Sequence, residues 1–343
     1  MGPLKDPNPR GGLWLYVPSR NASDGNDSKY LASKVAADKA HRITFKNYPE
    51  GHDFHPLGIA IWPSLAGQPS NLYAINHARE RTVIEHFTIN PATPTEAEHV
   101  RTISSFHSLS ANGLALTSPD AFYVTNDHFI TLIESVLGLP LAFVSHVTLN
   151  PPTHKGPDAI ASATFAKLFV PFPNGVAVSS PERSQVLIYE RDPATNALIR
   201  QKYSATVPFS PDNIHFTEPF NGGSGEEIIV AGHPNFPDIT AVAANKTGAV
   251  AASWVIAIVP QAEKNETSVE FDLEAPVSIS SKLTSDGVGW TMKTLFQSSG
   301  DEEKGGFPVS TTGLKDPQTG NFYMSGLYAD GGLLVCKPSS GKN

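Results

Sequence analysis

The chain has 343 residues, enough for one large domain or two average ones. Charged residues make up 17% of it, below the roughly 25% of typical globular chains, and hydrophobic residues make up 40%, so a sizeable core is possible. The formal net charge of −8 argues against a nucleic-acid partner, and the single cysteine, Cys336, excludes an internal disulfide and a cysteine-cluster zinc site.

The chain begins without an apolar run, so the sequence as written shows no signal peptide. Its 27 glycines and 29 prolines indicate many turns between short strands. One convincing strand, GGLWLYVP, begins at Gly11, and Asn21–Arg42 is interpreted as a polar loop.

A short pattern then recurs: a polar pair, alternating apolar residues, and Ser or Thr often followed by Pro. After a turn, each copy is followed by a second extended run that alternates or is rich in β-branched and aromatic residues, as expected of strands. The copies begin at Pro56 (PLGIAIWP), Ala111 (ANGLALTSP), Pro173 (PNGVAVSSP), Pro211 (PDNIHFTEP) and Val309 (VSTTGLKDP).

Equivalent positions of these copies lie 55, 62, 39 and 99 residues apart. A period near 50 with about four strands per unit is typical of a β-propeller, and a sandwich with coincidental turns is the alternative. The last interval is long enough to hide a further unit. We therefore predict an all-β fold, a single six-bladed β-propeller over residues 1–343, with its N-terminal closing strands lacking.

The most apolar window of the chain is Thr131–Leu149. Glu134, Pro140 and His146 interrupt it, which argues against a membrane-spanning helix. We expect this window to form a helix or loop over one end of the fold. The alternative is that residues 131–149 contact a membrane or lipid surface, or an apolar substrate.

Asn and Asp residues recur at the ends of the repeated strands. Asn126 and Asp127 follow the run FYVT, Asn174 opens a copy of the pattern, and Asp212 and Asn213 open another. The innermost strands of a propeller all face its channel, so such residues would converge there. Carboxylate and amide oxygens suit a hard cation, above all calcium, although each residue taken singly could simply make a turn.

These segments resemble the paraoxonase/arylesterase family of six-bladed, calcium-dependent lactone and ester hydrolases. The motifs FYVTNDHF, PNGVAVS, PDNI followed by AGHPN, LYAINHA and FHPLGI carry the resemblance, which covers roughly residues 11–337. It implies two calcium ions. The catalytic ion would be held by Asn126, Asn174, Asp212 and Asn213. The structural ion would be held by Asp127 and the backbone carbonyl of Ile59.

The resemblance also implies that His77, in LYAINHA, is the outer histidine of a proton-transfer pair. The inner histidine of the family falls at Leu57, which cannot accept a proton; His55, two residues earlier on the same predicted strand face, is a possible substitute. With Leu57 in place, Asp212 or a calcium-bound hydroxide is a better base than His77.

A second departure lies at the N-terminus, where the acidic pair of the family, one residue for each calcium, has no counterpart before Gly11. Cys336 matches a family cysteine whose partner would lie in the same region. Either a native N-terminal segment is missing from the sequence, or the protein is a decayed enzyme.

We therefore expect a hydrolase acting on small lactones or aryl or carboxylic esters, in which calcium polarises the carbonyl and activates water. Asp212, His77 and Asn126 are the candidate catalytic residues. The alternative is a catalytically impaired propeller that binds a partner; a sugar-lactone hydrolase or strictosidine-synthase-like propeller is a weaker one. Sequons favour a glycoprotein on a secretory, extracellular or endomembrane route; they lie at Asn21, Asn26, Asn245 and Asn265.

Overall fold

The computed structural model describes nine stretches of the chain, within which two compact units are found. The stretches are residues 11–19, 36–64, 66–127, 141–170, 178–180, 184–217, 227–260, 290–317 and 319–338. The units are Met1–Val170 with Pro193–Ala197, and Pro171–Asp192 with Leu198–Asn343. The single domain expected over the whole chain stays a prediction. No helix in these stretches is long and apolar enough to cross a membrane.

The first unit contains a two-stranded ribbon and two blades. The ribbon pairs β1 (Trp14–Val17) with β2 (Lys39–Arg42). The first blade consists of β3 (Thr44–Lys46), β4 (Pro56–Trp62), β5 (Ser70–His77), β6 (Thr82–Ile89) and β7 (Glu96–Ile103), in the order β3-β7-β6-β5-β4 with β3 parallel to β7. A 3-10 turn, Phe106–Ser108, precedes the second blade, which is the antiparallel meander β8 (Ala111–Ser118), β9 (Ala121–Asn126), β10 (Ala142–Leu149) and β11 (Ile160–Val170).

The second unit contains three blades and the one α-helix of the described residues. The third blade is β12 (Val178–Ser180), β13 (Gln185–Arg191) and β14 (Leu198–Thr206). The fourth is β15 (Ser210–Thr217), β16 (Glu227–His233), β17 (Ser253–Pro260) and β18 (Trp290–Ser298), with α1 (Phe236–Ala243) between β16 and β17. The fifth is β19 (Ser310–Lys315), β20 (Phe322–Gly326) and β21 (Leu333–Cys336).

Central strands of the blades are buried on both faces, which explains their nearly continuous apolar runs. In the first unit, Ile75, Ile84, Phe122 and Val124 belong to one core that joins the first two blades. In the second unit, Trp254 is fully buried in the core of the fourth blade. Each such side chain contributes about 1.5–3 kcal/mol to the free energy of folding.

The all-β class and the propeller architecture are confirmed, but the prediction of six blades was wrong: the described residues form five. The long interval before the last copy holds three further strands of the fourth blade and α1, together with residues 261–289, which lie outside the described ones. Near the N-terminus, the strand predicted from Gly11 pairs with β2 in the ribbon and starts no blade. Because β2 covers Lys39–Arg42, the last four residues of the predicted Asn21–Arg42 loop form a strand.

The expectation of a helix or loop over Thr131–Leu149 was wrong for its second half. Residues 142–149 form β10, which pairs with β9 on one side and β11 on the other. Seven of its eight residues are buried, so these side chains cannot provide a lipid-facing surface. Residues 131–140 lie outside the described part of the chain.

Candidate functional site

The first strand of a blade, at one edge of its sheet, carries a β-bulge near its start in four of the described blades. The bulges lie between Pro56 and Ile59, Ala111 and Gly113, Pro211 and Ile214, and Ser310 and Thr312. A bulge places an extra residue on one strand and redirects its side chain, and bulges are frequent beside active sites. Polar residues lie at three of these bulges: Asn112 in β8, Asp212 and Asn213 in β15, and Thr311 in β19.

Asn126 ends β9 and is completely buried. Its Oδ1 accepts a hydrogen bond from Ser110 N at 3.1 Å, and its Nδ2 donates to the carbonyl of His107 at 2.9 Å. An amide oxygen has two lone pairs, so one acceptor position of Asn126 remains for a further partner.

Asp127 follows Asn126 and is linked to the bulge of β8. Its Oδ2 accepts a hydrogen bond from Asn112 Nδ2 at 3.0 Å. A Cβ atom at Gly58 would come within 2.2 Å of the carbonyl oxygen of Asn112, so only glycine permits this close approach of β4 to β8. The approach brings the strand that carries Ile59 beside the residue that holds Asp127.

His77, at the end of β5, has its Nε2 at 2.7 Å from the carbonyl oxygen of Ala111. Because a carbonyl only accepts, Nε2 carries the proton, and Nδ1 is the acceptor of the neutral ring. Leu57 lies at the bulge of β4 with 44% of its surface exposed, whereas His55 is buried at 9%. The bulge interrupts strict alternation, which explains why the two residues differ in environment. Neither ring nitrogen of His55 has a hydrogen-bond partner among the described residues.

In the second unit, Asp212 and Asn213 both lie at the bulge of β15. Asp212 Oδ2 is 3.0 Å from Nε2 of His233, a residue only 7% exposed at the end of β16. Asn213 Nδ2 donates to Thr312 Oγ1 at 2.9 Å. Asn174 lies outside the described residues. The structure thus brings Asn126, Asp127, Ile59 and His77 into the first unit and Asp212 and Asn213 into the second.

Two residues of the site region were missed by the sequence analysis. Asn112 donates a hydrogen bond to Asp127. It occupies in ANGLALTSP the place that Asn174 occupies in PNGVAVSSP, so the repeated pattern could have identified it as a site residue. Glu85 had no such signal, because its partners come from distant parts of the first blade.

Glu85 is a fully buried carboxylate on β6 with donors at both oxygens. Oε1 accepts from His52 Nε2 at 2.8 Å and Asn76 Nδ2 at 3.0 Å; Oε2 accepts from His99 Nε2 at 3.0 Å and Thr102 Oγ1 at 2.7 Å. Burial by itself would raise the pKa of Glu85, but the hydrogen bonds outweigh it and hold the pKa below its ordinary value. Glu85 is therefore ionised at neutral pH.

The donor set fits calcium by its chemistry. Each unit contributes one carboxylate beside one amide, Asp127 with Asn126 and Asp212 with Asn213, and calcium prefers such oxygen ligands. Among the described residues, no group of three or more His, Cys, Asp or Glu is arranged to hold a metal ion. The proposed calcium ligands are mainly amide and backbone oxygens with one carboxylate for each ion. They therefore do not form a cluster of that kind.

The fold is a β-propeller in which Asn112 lies at the bulge of β8, and Asp212 and Asn213 lie at the bulge of β15. The chain belongs to the arylesterase family, whose model matches residues 10–269. The resemblance noted from the motifs is thereby confirmed, and the family suggests ester or lactone hydrolysis. A comparison with curated proteins found no match.

Proposed function

We propose that this protein hydrolyses lactones or aryl or carboxylic esters with calcium as its cofactor. The observation that carries the proposal is the contact between Asp212 and His233 at the bulge of β15, in a chain of the arylesterase family. A carboxylate oriented by a buried histidine is suited to accept a proton from water.

The calcium ligands proposed are those implied by the family motifs. Asn126, Asn174, Asp212 and Asn213 would hold the catalytic ion, and Asp127 with the carbonyl of Ile59 would hold a structural one. When bound, calcium would polarise the substrate carbonyl and stabilise the negative charge that develops on its oxygen.

The residues of the chain would supply orientation and proton transfer. Asp212 would take the proton of the attacking water, while His233 donates from Nε2 to Oδ2 and fixes the plane of the carboxylate. His77 can accept a proton only at Nδ1, because its Nε2–H is directed at the carbonyl of Ala111. Leu57 offers no acceptor, so a relay through two histidines is not part of the proposal.

Leu57 also favours a second candidate, a propeller that binds calcium and a ligand without hydrolysing it. The partner of the hydrolase would be a small lactone or ester, whereas the alternative would bind a ligand or an interaction partner. A secretory location remains a proposal. Of the four sequons, the one at Asn245 lies in the described part, at an exposed turn after α1.

The test is calcium dependence in the purified full-length chain. Thermal unfolding and hydrolysis of phenyl acetate and of a γ- or δ-lactone are measured with calcium and with a chelator. We expect calcium to raise the unfolding temperature and to be required for hydrolysis. Asp212→Ala should abolish hydrolysis and reduce the stabilisation by calcium, because only the structural ion would remain, whereas Asp330→Ala, at an exposed position of the second unit, should leave both effects unchanged.

Each other outcome has a definite meaning. Stabilisation by calcium without hydrolysis would favour the binding protein. Hydrolysis that persists in the chelator or in Asp212→Ala would refute the proposed mechanism.

A further inference from the structure

A cleft of about 850 Å³ lies in the first unit, between β7 and the segment that connects β10 to β11. Three cationic side chains line it: Arg81, Arg101 and Lys155. Its one carboxylate, Glu98, accepts a hydrogen bond from Asn47 Nδ2 at 3.2 Å. The cleft is therefore positive, in a chain whose formal net charge is −8.

In the described part of the chain, the three cations of the cleft have no counter-ion. Among the described residues, no carboxylate oxygen lies within 4.0 Å of the charged nitrogens of Arg81, Arg101 or Lys155. Like charges that share a cleft repel one another, and a bound anion would remove that repulsion. Arg81 and Lys155 are exposed and can reach a ligand directly.

Arg101 supplies the second and independent observation, because it is only 2% exposed. Its Nη1 donates to the carbonyl oxygens of Asn150, Pro151 and His154, at 2.8, 3.2 and 3.2 Å, and so fixes the far wall of the cleft. Its Nε and Nη2 are buried as well, and the guanidinium interacts with the hydroxyl of Tyr73. Arg101 therefore contributes its positive charge to the cleft without a direct hydrogen bond to a ligand.

Burial and the positive charge of Arg101 both lower the pKa of His86, a neighbour of Arg101 on β6. His86 lies directly opposite Arg101 in the sheet. Burial, followed by the charge of Arg101, lowers the pKa of His86 to about 3. A buried cation without an ionic partner is costly, so this part of the fold would be stabilised by an anion.

We propose that this cleft binds the carboxylate or phosphate group of a small molecule. Arg81 and Lys155 contact the anion at the mouth of the cleft, and Arg101 provides the buried positive charge behind them. The site shares no residue with the proposed esterase site, so it is a second ligand site on the same chain.

The test is binding of three anions to the full-length chain, measured by calorimetric titration at constant ionic strength with chloride as the reference. The probes are inorganic phosphate, acetate and citrate, which separate a phosphate site from a carboxylate site. We expect saturable binding of phosphate or of the carboxylates, weakened about tenfold or more in Arg81→Gln/Lys155→Gln.

The matched control is Lys246→Gln/Lys293→Gln, which removes the same charge at two exposed positions of the second unit and should bind as the parent does. Arg101→Lys keeps a buried positive charge but loses the hydrogen bonds of Nη1 to the wall of the cleft, so it should lower the unfolding temperature as well as weaken binding. The proposal is overturned if none of the three anions binds saturably, or if the cleft variant and the control bind alike. The readout is binding alone, so its failure would leave the proposed hydrolysis untouched.

Discussion

Asn126 occupies in the second blade the place that Asn76 occupies in the first. Each side chain pairs its Oδ1 with the backbone N–H of the residue just before the first strand of its blade, His55 at 2.8 Å for Asn76 and Ser110 at 3.1 Å for Asn126. Each Nδ2 donates to a backbone carbonyl in the same incoming segment. Asn126 therefore has a structural role that does not depend on a metal ion.

This equivalence supplies a matched pair of variants. Asn126→Ala and Asn76→Ala should each lower the free energy of unfolding by about 2–4 kcal/mol, because buried backbone groups lose their partners. Only Asn126→Ala should also lose part of the stabilisation by calcium, measured as the shift in thermal unfolding temperature. Equal shifts in both variants would show that Asn126 is not a calcium ligand.

Leu57→His would restore a proton acceptor at the bulge of β4. Leu57 is 44% exposed, so we expect a change in stability of no more than about 0.5 kcal/mol. Hydrolysis of the lactone or ester should rise by about 100-fold, the lower end of general acid–base contributions. Leu57→Gln, a polar residue of similar size without a basic ring, is the control, and a similar rise in both variants would contradict a proton-transfer role.

Glu85 should make stability depend on pH in the acid range. Its folded pKa lies below the ordinary value of 4.5, so the unfolded chain binds the proton more readily. The contribution is present above about pH 4.5 and is lost as the pH falls through the folded pKa. Urea unfolding of Glu85→Gln between pH 7 and pH 3 should lack this loss and show about 3 kcal/mol lower stability at pH 7. Glu80→Gln, at an exposed position, should behave as the parent protein, and an unaltered acid dependence in Glu85→Gln would count against the assignment.

His86 should stay neutral throughout the physiological range. Its Nε2 donates to Asn71 Oδ1 at 2.9 Å, and burial together with Arg101 lowers the pKa of His86 to about 3. Because the unfolded chain protonates this residue first, its contribution to stability falls as the pH drops below 6.5. Ring resonances assigned by comparison with His86→Gln should not shift between pH 8 and pH 5. A titration midpoint above about pH 5 would show that the ring is hydrated.

The strands were largely predictable, because each one is indicated by the pattern of neighbouring residues. The copies that begin at Pro56, Ala111 and Pro211 became β4, β8 and β15, since alternation and β-branched residues are properties of neighbouring positions. The candidate site was predictable only in its residue types. That Asp212 would meet His233, and that Asn112 would hold Asp127, depends on pairing between strands and on bulges that no local pattern encodes.

The sequence alone determined the all-β class, the propeller repeat and the arylesterase motifs, because hydrophobic alternation and short motifs are local. The tertiary structure decided the number of blades. The local pattern of β1 would also suit a strand of a further blade, but β1 pairs with β2 in a separate ribbon. It also decided which charges are buried. Glu85 accepts hydrogen bonds from residues up to 37 positions away, and Arg101 is fixed by carbonyls about 50 positions along the chain. Such contacts form only when distant segments pack together, and in a buried environment they determine which charges are stabilised.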